Sequence, residues 1–380
     1  MEIKKIYLAD LTVPFLDELS IHLEEGFYDS AILWKKRFDY WWGSNPYIQA
    51  DSILGWVLID DNENIVGFHG SIPIGAQYNN KRLLGAGGTS YYVKPNARGR
   101  LSTILLLEFP RQKDRDFTTL TTVNSHARKA ACAMGYTLLS EKPINNYVII
   151  TSLASFMGVG AYMSKHFADA NLGWKKTLFN TISRVAGLIS NILPSHTQEG
   201  ETHPISINGY SFQNCKSACS FLDYLSRHRK ESIIELSKDE ISVDWMYFSP
   251  AVQNLLSRKI ILIFTESGEY CGYFVYDKQH AGNATTIRLR ELQLLKCDEQ
   301  LIKQLIKYLK VEAKRDECAA VYIGLQNATD EIDSLLHKNI KLCLKTENRY
   351  FVKFRKGVIQ GRNPYDIFVP SDLDPDVGFI

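Results

Sequence analysis

Residues Gly85 to Leu107 (GAGGTSYYVKPNARGRLSTILLL) carry the types and spacing that suit anion binding. The run reads as a β-strand ending at Val93, a turn holding Arg98, Gly99 and Arg100, and the first turns of an apolar helix. A helix that starts straight after such a turn aims several backbone N–H groups at one spot, at the positive end of its dipole, and so offers a site for a pyrophosphate. Glycine lets the backbone come close to phosphate. The Ser102 and Thr103 hydroxyls can cap the helix or bond a phosphate oxygen.

The order Val93, Pro95, Arg98-Gly99-Arg100, Leu105-Leu106-Leu107 resembles the acyl-CoA-binding motif of the GNAT acyltransferase superfamily, roughly V-x-P-x-x-R-G-x-G-x-G/S-x-x-L-L. Leu101 replaces the second glycine of that pattern and Thr103 its third position, and a one-residue deletion aligns equally well. The resemblance implies acetyl-CoA or another acyl-CoA as co-substrate and no metal. Its pyrophosphate cradle would be Arg98, Gly99, Arg100, Leu101, Ser102 and Thr103. A splayed strand from Ser90 to Val93, with Tyr92 and Val93, would bond the acyl-pantetheine arm. Asn124 would bond that arm or cap the next helix.

Direct acyl transfer from a thioester to an amine needs a base for the ammonium proton, and His69, His126 and Tyr91 are the candidates. Many members carry a tyrosine acid four residues before the glycine of a "GF" pair, which Gly135-Tyr136 resembles; here that position is Ala131. The neighbouring Cys132 reads as an apolar filler of a core helix. A thiol leaving group of pKa about 8.5 scarcely needs protonation.

These residues need a scaffold. The 380 residues suffice for two or three domains, and 45% apolar with 23% charged residues suits a globular protein. A formal charge of +2 and no arginine-lysine run give no sign of a nucleic-acid partner. The seven cysteines contain no C-x-x-C, so zinc is not expected and reduced thiols in a cytoplasmic protein are. The charged start MEIKKIYLADLTVPF is no signal peptide. The uncharged run Pro143 to Ser164 reads as a buried strand over Tyr147 to Leu153 rather than a membrane span.

Residues 13–50 read as helical and then loop-like, with Trp34, Phe38, Trp41 and Trp42 on one helix face that packs on the sheet or walls an acceptor pocket. A hairpin about Asp60 to Asn64, a turn at Tyr78 to Lys81, the helix from about Leu101, a strand ending at Asn124 and a helix to Gly135 complete the order of the GNAT fold. In 172–193 a stripe of Trp174, Leu178, Ile182, Val185, Ile189 and Leu193 packs on protein or, with Lys175, Lys176 and Arg184, contacts a membrane surface peripherally.

The second half repeats the order: a hairpin about Ser267-Gly268, a strand, a long helix from Glu299, a strand ending at Asn327, a short helix, and a closing hairpin KLCLKTENRYFVKF. Lys296-Cys297-Asp298-Glu299 stands where the first half has glycine and arginine, and acidic residues at a helix start repel phosphate.

The expected fold is therefore α/β of the α+β kind, with two GNAT-like domains, each a mixed, mostly antiparallel sheet flanked by helices. The expected boundaries are 1–155 with the CoA loop, 156–205 as connector, 206–356 as a degenerate second domain, and 357–380 as an extended acidic tail. The implied activity is acyl-CoA-dependent N-acylation, in the first instance acetylation, of a small amine such as an aminosugar of a surface-glycan pathway. Two alternatives share the fold: an aminoacyl-tRNA-dependent aminoacyltransferase and a non-catalytic ligand-binding module. The oligomeric state is not readable from the sequence.

Overall fold

A computed structural model of the chain describes residues 1–152 and 205–369, apart from positions 28, 80, 122, 124, 229–232, 282–283, 327, 348 and 360–361. The expected 172–193 helix, Asn124, Asn327 and the tail beyond 369 lie outside the described residues.

The first strands are β1 (Glu2–Ile6), β2 (Gly55–Ile59), β3 (Ile65–Tyr78), β4 (Lys81–Val93), β5 (Phe117–Leu120), β6 (Thr137–Leu138) and β7 (Ile144–Ile150). Then come β8 (Ile205–Ile207), β9 (Tyr210–Cys215), β10 (Glu235–Leu236), β11 (Lys259–Thr265), β12 (Tyr270–Ala281), β13 (Ala284–Leu294), β14 (Ala320–Ile323), β15 (Cys343–Thr346) and β16 (Phe351–Phe354). They form two sheets, each within its own compact unit. The first has the order β1-β2-β3-β4-β5-β16-β6, with β10 beside β3; the second has the order β15-β7-β14-β13-β12-β11-β9-β8. Most pairs are antiparallel, while β4–β5 and β13–β14 are parallel. That is the mixed, mostly antiparallel architecture expected.

Neither unit is one stretch of chain. The first comprises Met1–Glu141, Arg229–Leu255 and Asn348–Ile380, the second Lys142–His228 and Leu256–Glu347. The contiguous boundaries expected at 155 and 206 do not describe this packing. Nor do β15 and β16 form the expected closing hairpin: β15 pairs with β7, and β16 pairs with β5 and β6. Each sheet takes its next-to-last strand from the other half of the sequence. The physical reason is that alternation of apolar residues shows that a segment is a strand, while the backbone groups that choose its partner are the same in every strand.

In the first unit, α1 (Val13–Phe27) and α2 (Ala31–Phe38) precede β2. The Ser30 hydroxyl caps α2 by accepting from the Leu33 amide at 3.3 Å. A π-helical turn over Asp39–Gly43 extends α2 and turns Trp41 and Trp42 inward together. Trp34, Phe38, Trp41 and Trp42 are all buried; Phe38 stacks on Trp42 at 4.9 Å, and the Trp42 indole donates to the Ser71 carbonyl at 3.1 Å. The aromatic run is thus core rather than pocket wall. Pro73 sits in a central strand, yet on a stretch of β3 between its pairing with β2, which ends at Gly70, and with β10, which begins at Ala76. A ladder bond is therefore not lost there.

In the second unit the helix over Glu299–Arg315 lays Leu301, Ile302, Leu305 and Leu309 on the sheet, all buried. A buried ionic group lies in that sheet. Asp277 accepts from Arg258 at 2.7 and 2.9 Å and from the Arg290 Nε at 2.9 Å. Burial works to raise its pKa, but the two guanidiniums win and hold it below the usual carboxylate range.

Candidate functional site

The candidate site is built where β4 and β5 part. The two run parallel from Gly85 opposite Phe117 to Gly88 opposite Leu120. There β5 stops, while β4 continues to Val93 without it. Beside Gly88 there is no room for a side chain: a Cβ would lie 2.7 Å from Leu120 and 2.8 Å from Phe109. Just beyond, β4 bulges. Tyr92 pairs with Phe68 and Thr89 with Gly70, so Ser90 and Tyr91 together face His69. Ser90 holds a left-handed φ of 54°, a conformation costing a non-glycine residue about 1–2 kcal/mol. Strained positions of this kind cluster at ligand sites.

After Val93 the chain makes one 3-10 turn over Pro95–Ala97, tied back by the Arg98 Nε donating to the Val93 carbonyl at 3.2 Å. Then α3 (Arg100–Glu108) starts, capped by Gly99 in an extended conformation. A Cβ on Gly99 would meet nothing within 4 Å among the described residues, which leave open space in front of the helix start. The Ser102 hydroxyl accepts from the Gly99 amide at 3.0 Å and donates to the Gly99 carbonyl at 2.7 Å. Thr103, exposed, adds a hydroxyl contact to the same carbonyl at 3.4 Å. That leaves the amides of Arg100, Leu101 and Ser102, which an α-helix cannot satisfy internally, at its positive end. Leu101 packs its side chain against the apolar cluster of Leu58, Val93, Leu105 and Phe109. It therefore replaces the family's glycine without closing the front of the cradle. Arg98 and Arg100 are exposed on the same turn.

The candidate bases are placed unequally. His69 is 2% exposed, walled by Phe109 at 5.2 Å, Tyr91 at 5.4 Å and Trp56 at 6.3 Å. Burial lowers its pKa to about 4, against a smaller opposite pull from the Leu105 backbone. It is neutral at pH 7 but sealed from any acceptor, a placement that suits packing better than proton transfer. Tyr91 donates its hydroxyl to the Ser102 carbonyl at 2.9 Å, and burial raises its pKa. A phenol held protonated makes a poor base, though its ring walls the start of α3. Tyr92 faces the other way, against His22 at 5.0 Å and Phe27 at 6.1 Å. His126 stands on α4 (Ser125–Ala133), with its side chain outside the described residues. Ala131 is buried, and Cys132 is exposed rather than the core filler expected, because it follows Ala131 round the helix to the solvent side.

His22 is a further buried histidine, beside Tyr92. It is 2% exposed, makes no well-formed hydrogen bond at either ring nitrogen to the described residues, and has its pKa lowered by burial to about 4. Leu19, His22 and Leu23 share an inward stripe of α1, a signal available in the sequence. Among the described residues no cluster of histidine, cysteine and carboxylate side chains could hold a metal ion. Among them, too, no helix is long and apolar enough to cross a membrane.

No protein-family profile matches the sequence, and no curated protein matches it. Solved structures do resemble the fold. One is the N-myristoyltransferase of Saccharomyces cerevisiae with bound myristoyl-CoA, at 12% identity and a TM-score of 0.56, covering 92% of this chain and 82% of that one. Another is a tandem GNAT protein from the clavulanic acid biosynthesis pathway, at 12% identity and a TM-score of 0.53, covering 93% of this chain and 98% of that one. At such identity the likeness is one of fold: this chain has the tandem GNAT fold, as its motif implied.

Proposed function

We propose, from a chain of two GNAT-fold units, that the first unit is an acyl-CoA-dependent N-acyltransferase domain acting on a small amine. The observation that carries this reading is the parting of β4 and β5 beside a helix start capped by a glycine without a side chain. An acyl-CoA would lay its pyrophosphate on the amides of Arg100 to Ser102, with Arg98 and Arg100 nearby, and its pantetheine arm along Thr89–Val93. The open space at Gly99 fits such a group. In the reaction the amine nitrogen attacks the thioester carbonyl, the C–N bond forms and the C–S bond breaks. The nitrogen's proton leaves, and the thiolate takes one from solvent near its pKa of about 8.5. The enzyme's main contribution is then to hold the two reactants together.

Of the three candidate bases, the burial of His69 and the bonded hydroxyl of Tyr91 leave His126 as the one to test first. The aromatic run of Trp34, Phe38, Trp41 and Trp42 is buried and offers no acceptor-pocket wall. The acceptor is therefore kept at the level of a small amine, with an aminosugar as its narrower form and acetyl as the simplest acyl group.

The test is a thermal shift of the full chain with acetyl-CoA and longer acyl-CoAs. Binding to the folded state should raise Tm as ligand exceeds its Kd. Gly99→Trp should fold as well as wild type, since its backbone is extended and its Cβ meets none of the described residues, yet show no shift. No stabilisation of wild type by any acyl-CoA, or an undiminished shift in the variant, would overturn the assignment.

A further inference from the structure

We propose that the second unit holds a separate ligand site, a cleft that binds a small oxyanion also carrying a hydroxyl or ammonium donor. The cleft, about 170 Å³, lies between the strands β8, β9 and β11 and the C-terminal half of the helix over Glu299–Arg315. That volume is on the scale of the ~150 Å³ cavity that admits a benzene-sized molecule, and well below the ~300–1,000 Å³ of a drug-sized pocket. It suits a ligand of a few heavy atoms and excludes CoA.

One wall is apolar, with Phe212 stacked on Tyr308 at 4.8 Å beside Ile261. The polar side is built from Lys216, Lys259, Arg315 and Glu312. Glu312 is 1% exposed, and its two oxygens differ. Oε2 accepts from the Arg315 guanidinium at 2.6 Å, from the Tyr276 hydroxyl at 2.8 Å, and from Lys259 at 3.5 Å. Oε1 is buried and has no hydrogen-bond partner among the described residues. A buried acceptor left unpaired costs about 1–3 kcal/mol, more when charged, so a donor that reached it would be favoured.

The cations are in excess. Three line the cleft against one lining carboxylate; Asp316, just outside the lining, takes only the Arg315 Nε among these three, at 3.4 Å, and among the described residues Lys259 has just its long contact with Glu312. Lys216 has no bonded partner among the described residues. Burial, helped by nearby Lys278, also makes the Lys259 ammonium easier to deprotonate, a strain that an anion would relieve. A neutral ligand would satisfy Oε1 and leave the cations unbalanced; a bare anion would do the reverse. A ligand with both groups on adjoining atoms answers both.

A carboxylate and a phosphate share this chemistry, and matched probes separate them. Calorimetry on the full chain would compare lactate with propionate, and glycerol phosphate with propyl phosphate. At least one hydroxylated probe should bind saturably, and at least fivefold tighter than its partner lacking hydroxyls; which pair responds names the oxyanion. Lys216→Met and Lys259→Met should each weaken it at least tenfold, Lys216→Met while keeping the wild-type Tm. The exposed position of Lys216 makes that variant safe to fold. No saturable heat from either hydroxylated probe at millimolar concentration would overturn the site. So would equal affinity within both pairs, or wild-type affinity in both lysine variants.

Discussion

In the first unit, β4 passes through a bulge at Ser90 and Tyr91 into a helix whose cap, Gly99, has no side chain. In the second, β13 passes through a bulge opposite Val275 and Tyr276 into a helix whose cap, Asp298, fills the same place with a carboxylate. Asp298 accepts from the Leu301 amide at 2.7 Å, and Tyr210 donates to its other oxygen at 3.3 Å. Glu299 follows, held by Lys303 at 2.7 Å and by Lys338, ion pairs that lower its pKa to about 2. The bulges differ in the same sense. Ser90 is small and strained, while Arg290 fills its bulge and is locked on Asp277. Both parallel pairs part in the same way, so the parting alone does not make an anion site. A site needs the helix end left open; a carboxylate there supplies internally what a phosphate would supply from outside.

The strongest way to break this comparison is at Asp277. Asp277→Ala removes the carboxylate that two buried guanidiniums share and should cost about 3–5 kcal/mol, read as a loss of Tm, while the CoA-dependent shift of the first unit remains. Next is a graft of the second cap onto the first. Gly99→Asp should leave stability unchanged or raise it by a few tenths of a kcal/mol, yet weaken acyl-CoA binding at least tenfold by calorimetry. Equal affinity would show that the open cap is irrelevant.

Acid should separate the units in order. His22 and His69 of the first unit are held near pKa 4, against 6.5 in an unfolded chain. Between those values the unfolded state binds more protons. Their contribution is therefore complete above pH 6.5 and falls towards pH 4, by about 1.4 kcal/mol per pH unit for each histidine. The described histidines of the second unit, His228, His280 and His337, are half-buried or exposed, and its Asp277 loses its contribution only below the ordinary carboxylate range. Hydrogen exchange at pH 5 should open the first sheet before the second. His69→Leu should flatten the pH dependence of Tm. The smallest effect is expected at Asp298→Ala, about 1 kcal/mol of stability by denaturant titration with acyl-CoA binding intact.

Much of this was legible in the residues. Gly99 after Arg98, Asp298 before Glu299, and the turns at Asp60 to Asn64 and Ser267-Gly268 are local signals, and local structure follows them. β1 is not legible because EIKKI is short, charged and mostly solvent-facing, so burial leaves little pattern. The bulge at Ser90 is not legible because a bulge is a count of residues across two strands, invisible in either one alone. The fate of Leu101 depended on which way a half-buried side chain turned, and its identity does not say. The places of β7 and β16 rest on pairing over long sequence distances, which no local pattern encodes.

That last feature bears on how the polypeptide is made. On the ribosome the first sheet has β1 to β6 early, but β5 and β6 keep unmatched hydrogen-bonding edges until β16, with Phe351 and Val352, has emerged. β7 waits in the same way for β14 and β15. Both halves mature almost together, and a chain stopped between them carries open edges of the kind that recruit other strands. Cutting this protein into two pieces for separate expression should yield aggregates, whereas co-expressed pieces could restore each other's missing strand. Folding should also be slow, since the closing contacts are the ones farthest apart in sequence.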